Sequence, residues 1–187
     1  MMTTISGKQV DLINPEPENI DIETIIYGLG CLRFRNQTKA PITVLQHSVM
    51  VSYLCDPKDA LQGLLHDASE AYLGDMNKWL KLQPELFEFV EIDERLQRVI
   101  YRKFGCAVEM TPSVKEADRI MVRFEGWHPE YGLNAPMSDH PKYGPLSQQD
   151  LLDLPRGHVL FAYSPWKRKM AARKFLDRFE YLRSFQK

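Results

Sequence analysis

Apolar residues recur at helical spacing over most of the chain, and each run is bounded by residues that start or stop helices. Ile22, Ile25, Ile26 and Leu29 fall on one face and predict a helix over 21–33, with Asp21 as its cap. Gly28 and Gly30 inside it leave room for a second backbone or a ligand. Pro41 and Thr43 open a second helix, 43–55, with Val44, His47, Val51 and Leu54 on its inner face. Asp56 and Pro57, a capping residue and a first-turn proline, start a third that runs to Leu73, buries Leu61, Leu64 and Leu65, and stops at Gly74. Pro84 begins a fourth. Its apolar stripe is Leu86, Phe89, Val90, Leu96, Val99, Ile100 and Phe104, its solvated face carries Glu88, Glu91, Glu94, Arg95 and Arg98, and Gly105 ends it. Ser113 and Glu116 form a capping box for a fifth, with Val114, Ala117, Met121 and Phe124 inward. Ser164-Pro165 opens a last helix to Phe185 that packs Trp166, Met170, Phe175, Phe179 and Leu182.

The remaining segments lack this period. Residues 3–19 are polar, and the alternation from Gln9 to Ile13 predicts a short strand or an extended arm, packed on its own domain or on a neighbouring subunit. Residues 76–83 read as a link. Residues 127–157, rich in proline and glycine, read as an irregular excursion in which His128, His140 and His158 are surface or loop histidines. The expected fold is therefore all-α: one domain over 1–187, a bundle of six or more helices, an extended arm over 1–20 and an irregular excursion near 127–160.

Composition narrows the function. With 44% hydrophobic and 26% charged residues the chain is globular, and a net charge of -1 offers no footprint for polymeric nucleic acid. Cys31, Cys55 and Cys106 form no CxxC pair and no disulfide framework, which fits a reducing cytoplasm. The first residues lack the apolar core of a signal peptide, and no run is long enough for a membrane span.

The chemistry concentrates in Gly63–Asp75. On the predicted third helix His66 and Glu70 share a face, Asp67 borders it, and Asp75 lies just past the end. Carboxylates and imidazole crowded on a buried face need positive charge among them. A divalent cation is one source, and a surface His–Asp contact is the other reading. His47, on the preceding helix, is either a satisfied core histidine or a ligand brought to His66 by the short connection. Asp118, early in the fifth helix, is either a partner for arginine or backbone, or a fourth ligand. The run Arg33–Lys39 is either a solvated basic loop or an anion-binding lip.

The order His47, His66-Asp67, Asp118 on separate helices resembles the HD-domain metal phosphohydrolases. Arg33-Phe34, the run His66-Asp67-Ala68-Ser69-Glu70 with Gly74-Asp75, and Lys81 resemble the 5′-deoxynucleotidase subfamily. Ser164-Pro165-Trp166 and Phe175–Phe179 resemble the closing helix of phage-encoded relatives, some of them dATP triphosphohydrolases. Two positions depart: Phe34 stands where tryptophan is usual, and Met76–Leu80 stands where the subfamily often has prolines. No histidine lies between residues 68 and 117, which sets the chain apart from HD-type di-iron oxygenases.

The resemblance implies a metal held by His47, His66, Asp67 and Asp118. The donor set suits Co²⁺, Mn²⁺, Fe²⁺, Ni²⁺ or Zn²⁺, with Mg²⁺ travelling on substrate phosphates. It implies that Glu70 orients or deprotonates the attacking water and that Asp75 places that water or protonates the leaving oxygen. Arg33 and Lys81 neutralise phosphate charge, Phe34 packs on the sugar beside Asn36, and Trp79 stacks on the base. The implied substrate is a deoxynucleoside triphosphate, dATP first, with a 5′-deoxynucleotidase acting on monophosphates as the alternative. A non-catalytic nucleotide-binding module and a structural metal protein are the readings from other classes. A homo-oligomer in the cytoplasm, or the host cytoplasm for a phage protein, completes the expectation.

Overall fold

The computed structural model describes residues 1–31, 42–127 and 164–185. They fold as an all-α bundle with one small hairpin, in which β1 (Met2–Thr3) pairs antiparallel with β2 (Gln9–Val10), Met2 opposite Val10. The helices are α1 (Ile22–Cys31), α2 (Val44–Leu54), α3 (Ala60–Leu64), α4 (Glu70–Leu73), α5 (Lys78–Lys81), α6 (Phe87–Phe104), α7 (Pro112–Trp127) and α8 (Arg168–Ser184). Arg33, Phe34 and Asn36, the rest of the basic loop, and the excursion with His128, His140 and His158 lie outside the described residues.

α2 is the axis. The Thr43 hydroxyl accepts the Gln46 N–H at 3.3 Å and starts it. Every residue from Val44 to Ser52 is buried, as expected of a helix walled in on all sides. α1, α3, α7 and α8 pack around it. One core cluster joins Leu29, Leu45, Leu65, Ile100 and Phe175, and a second joins Val51, Val114, Met121 and Phe124. Two of α2's buried polar groups find partners: Gln46 donates to the Ser164 carbonyl at 2.7 Å and accepts the Trp166 N–H at 2.8 Å, pinning the entry to α8. The N-terminal arm packs on its own domain. Asp21 accepts the Thr24 N–H at 2.7 Å as the cap of α1 and the Ser6 hydroxyl at 2.7 Å, and Val10 is fully buried.

Several expected elements are redrawn. The continuous third helix breaks into a 3-10 turn at Pro57–Asp59, α3, a run of turns over 65–69, and α4. The Ala68 N–H bonds the Leu65 carbonyl and the Glu70 N–H the Asp67 carbonyl, each three residues back, so the chain is wound more tightly there than an α-helix. The link contains α5, one turn capped by Asn77. The Ser113 capping box does not form. Thr111 receives the Val114 N–H, Pro112 takes the first position, and the Ser113 hydroxyl accepts the Asp56 N–H at 2.6 Å. α8 starts at Arg168, four residues later than Ser164, and Met170 is half exposed. The α6 stripe is buried only from Leu96 onward, while Phe87 and the preceding Trp79, Leu80 and Leu82 stay exposed.

Gly28 sets the distance between α1 and α4. A Cβ there would sit 2.5 Å from the Ala71 carbonyl oxygen and 2.7 Å from its Cα. Gly28→Ala gains about 1 kcal/mol of helix propensity but must push two backbones apart, an overpacking cost of about 1–3 kcal/mol or more. A lower urea midpoint is the expected result. An unchanged or higher midpoint would show that α1 moves freely.

Candidate metal centre

Four side chains from three parts of the chain meet beside α2. His47 leaves α2, His66 and Asp67 come from the tight turns after α3, and Asp118 comes from the second turn of α7. His47 Nε2 lies 3.1 Å from Asp118 Oδ1 and 3.8 Å from Asp67 Oδ2. His66 Nε2 lies 3.2 Å from Asp67 Oδ2 and 3.7 Å from Asp118 Oδ1. Ligand atoms of His47, His66 and Asp67 all fall within 4.8 Å of one another, a group able to hold a metal ion. The redrawn backbone matters here, because the tight turns let two consecutive residues point into one centre.

Both imidazoles are fixed from behind. His47 Nδ1 faces the fully buried carboxylate of Glu125 at 2.9 Å, and His66 Nδ1 faces the Gly63 carbonyl at 2.9 Å. Each ring therefore turns Nε2 toward the cluster, the arrangement that outer partners impose on metal-binding histidines. His66 Nε2 is buried and, among the described residues, has no hydrogen bond of normal geometry despite its nearby carboxylates. A buried nitrogen left without a bond inside a ring of carboxylates, with imidazole and carboxylate donors converging, fits a divalent cation.

Proton affinities follow from this crowding. Burial alone would lower the His47 value, but the Glu125 charge and bonds to Asp118 and Glu125 outweigh it and push it up to about 10. His66 is raised against the same burial by Asp67 and Asp118. Asp67 and Asp118 are held low, against burial, by the two imidazoles. Glu70 is pushed up to about 10 by burial and then by the charges of Asp67 and Asp75, with Lys81 and His66 opposing. Without a metal, protons supply the positive charge that the carboxylates demand.

A pH dependence follows. The raised His47 value stabilises the fold fully below 6.5, and that contribution is lost as pH rises toward 10. Glu70, raised from 4.5, changes stability in the same direction over its own interval. The melting temperature in chelator is therefore expected to fall as pH rises from 6.5 to 10, and excess metal to flatten the fall. A chelated melt that held or rose over that interval would contradict this electrostatic account.

Around the cluster, a cleft of about 340 Å³ is lined by Asp67, Glu70, Lys81, Arg98, Tyr101 and Lys115 among others. Glu70, 12% exposed, lies 3.9 Å from Lys81 Nζ, and Lys81 donates to Asp93 at 2.8 Å. Asp75 is close enough to bear on Glu70. The structure thus brings together His47, His66, Asp67, Asp118, Glu70, Asp75 and Lys81. Trp79 is 75% exposed and stands outside the residues that line the cleft. Arg98 and Glu94, expected on a solvated face, are 40% and 57% exposed and also line the cleft.

Two residues escaped the sequence reading. Glu125 stands two helical turns after Asp118 on the apolar side of α7, and that spacing was the available signal. Tyr101 is buried in the α6 stripe with a hydroxyl that makes no hydrogen bond among the described residues, at the wall of the cleft. A tyrosine in an apolar stripe carries no such signal.

No family model matches the chain. It is 36% identical over 135 residues to the Uncharacterized protein RCAP_rcc00048 of Rhodobacter capsulatus, covering 65% of this chain and 68% of that protein. It is 34% identical over 124 residues to the Uncharacterized protein YfdR of Escherichia coli, again covering 65% and 68%. No described helix is long and apolar enough to cross a membrane.

Proposed function

The chain belongs to one family with YfdR and RCAP_rcc00048, and for it we propose a metal-dependent phosphohydrolase activity toward deoxynucleotides. The observation that carries the reading is the convergence of the His47 and His66 Nε2 atoms with Asp67 and Asp118, each ring held from behind by Glu125 or the Gly63 carbonyl. His47, His66, Asp67 and Asp118 would hold the ion. A divalent cation bound there supplies polarisation of a phosphoryl oxygen and a more acidic water.

The chain's own residues do the rest. In the metal-free protein burial and the Asp67 and Asp75 charges keep Glu70 protonated at neutral pH. Beside a cation held by the cluster it would lose that proton, leaving a carboxylate to accept the proton of the attacking water. Lys81, held by Asp93, stands beside Glu70 with its ammonium at the cleft, where phosphate charge needs neutralising. Arg98 and Lys115 add further cations at the cleft. A triphosphate, dATP first, is favoured by the likeness of Ser164-Pro165-Trp166 and Phe175–Phe179 to phage triphosphohydrolases.

The test is turnover by purified, metal-stripped protein given Co²⁺, Mn²⁺, Fe²⁺, Ni²⁺ or Zn²⁺ in turn, with deoxynucleoside mono- and triphosphates. Chromatography of the products distinguishes triphosphate release from single-phosphate release. Intact nucleotides under every ion would end the proposal and favour a binding module.

A further inference from the structure

A second cavity, of about 660 Å³, opens between α2 and α8, and no residue of the metal cluster lines it. Its walls are aromatic: Tyr53 from α2, Trp166 ahead of α8 and Tyr181 from α8. Two cations stand among the rings. The Arg178 guanidinium lies 4.1 Å from the Tyr53 ring centre and 5.7 Å from that of Tyr181. It donates to the Ser52 hydroxyl at 3.1 Å and the Ser52 carbonyl at 2.8 Å, so its position is set while its other N–H groups have no partner among the described residues. Lys174 Nζ lies 4.9 Å from the Trp166 ring centre.

Neither cation has a carboxylate partner among the described residues. The acid that lines the cavity, Asp177, is taken by Arg173 at 2.8 Å. Burial lowers the Arg178 value, as it does for a cation short of counter-charge. The chain as a whole has a charge of -1, yet residues 167–184 carry seven lysines and arginines against Asp177 and Glu180. Ring contacts hold a cation without neutralising it, whereas a phosphate accepts its hydrogen bonds and cancels its charge. A bare phosphate would leave the aromatic walls uncovered in a cavity of ligand size.

We propose that this cavity is a second ligand site and takes a nucleotide, its base against Trp166 and Tyr53 and its phosphate between Arg178 and Lys174. The site stands independently of the function read from the metal cluster.

Calorimetric titration of the chelated full-length protein with AMP tests it, with adenosine and inorganic phosphate as separate titrants. AMP is expected to bind saturably, about tenfold or more tighter than either fragment. Lys174→Gln and Arg178→Gln are each expected to weaken AMP binding about tenfold or more, and Asp67→Ala to leave it unchanged. Lys174 is exposed, so its variant keeps the fold and decides the matter even where Arg178→Gln loosens α8. The proposal fails if AMP does not bind, if phosphate alone binds as tightly, if Lys174→Gln binds AMP as the natural protein does, or if Asp67→Ala abolishes binding.

Discussion

Glu70→Gln is expected to slow phosphate release at least about a hundredfold while bound metal stays at the natural level, because proton transfer by a placed side chain contributes about 10²–10⁴ in rate. Glu70 opens α4 directly after the turns that carry His66 and Asp67, so the fold places it beside the cluster without making it part of the ligand group. Its carboxyl is largely buried, and burial and then the Asp67 and Asp75 charges push it up to about 10. Such a group holds its own proton at neutral pH in the metal-free protein and becomes a proton acceptor only once positive charge beside it displaces that proton. Glutamine keeps the shape and loses that capacity. Asp67→Ala is the companion measurement, expected to lose metal and turnover together, since it removes an atom from the donor group. Elemental analysis and a phosphate assay on both variants separate proton handling from ion holding. Full turnover in Glu70→Gln would assign the proton to another residue.

Glu125→Gln is expected to weaken metal binding about 10- to 100-fold with the fold retained, although Glu125 lies outside the donor group. Its carboxylate is 0% exposed and faces His47 Nδ1 at 2.9 Å. There it fixes the ring and adds electron density to the nitrogen on the other side. The amide keeps one acceptor for the Nδ1 proton and drops the charge. In the chelated protein the same change removes the largest influence that raises His47, so the loss of stability from pH 6.5 upward is expected to become shallower. Competitive titration against a chromophoric chelator reads the affinity, and thermal melts read the pH dependence. Glu125→Ala also orphans a buried imidazole nitrogen and is expected to cost about 3–5 kcal/mol of stability. Unchanged affinity in Glu125→Gln would reduce Glu125 to a packing residue.

The amino-acid sequence by itself determined the helical elements and part of the centre. Apolar spacing placed α1, α2, the buried half of α6, and α7, and Asp21, Thr43 and Gly105 act as the caps and stop their residue types imply. The short connection from α2 to α3 was enough to anticipate His47 beside His66. These are local properties, set within a few residues by backbone sterics, capping and the helical repeat.

Tertiary structure decided the rest. Glu125 meets His47 across 78 residues of chain, and Arg178 meets Ser52 across 126. Such pairs exist only because α7 and α8 pack on α2. The tight turns over 65–69 likewise follow from packing: the Ser69 N–H bonds Gln97, the Leu65 carbonyl accepts from Gln97, and the Ser69 hydroxyl bonds Asp93, all on α6. A helix-compatible sequence was bent by partners outside the segment, and that bend points His66 and Asp67 at one centre. Local propensity is worth tenths of a kcal/mol per residue, and buried hydrogen bonds and packing across helices exceed it.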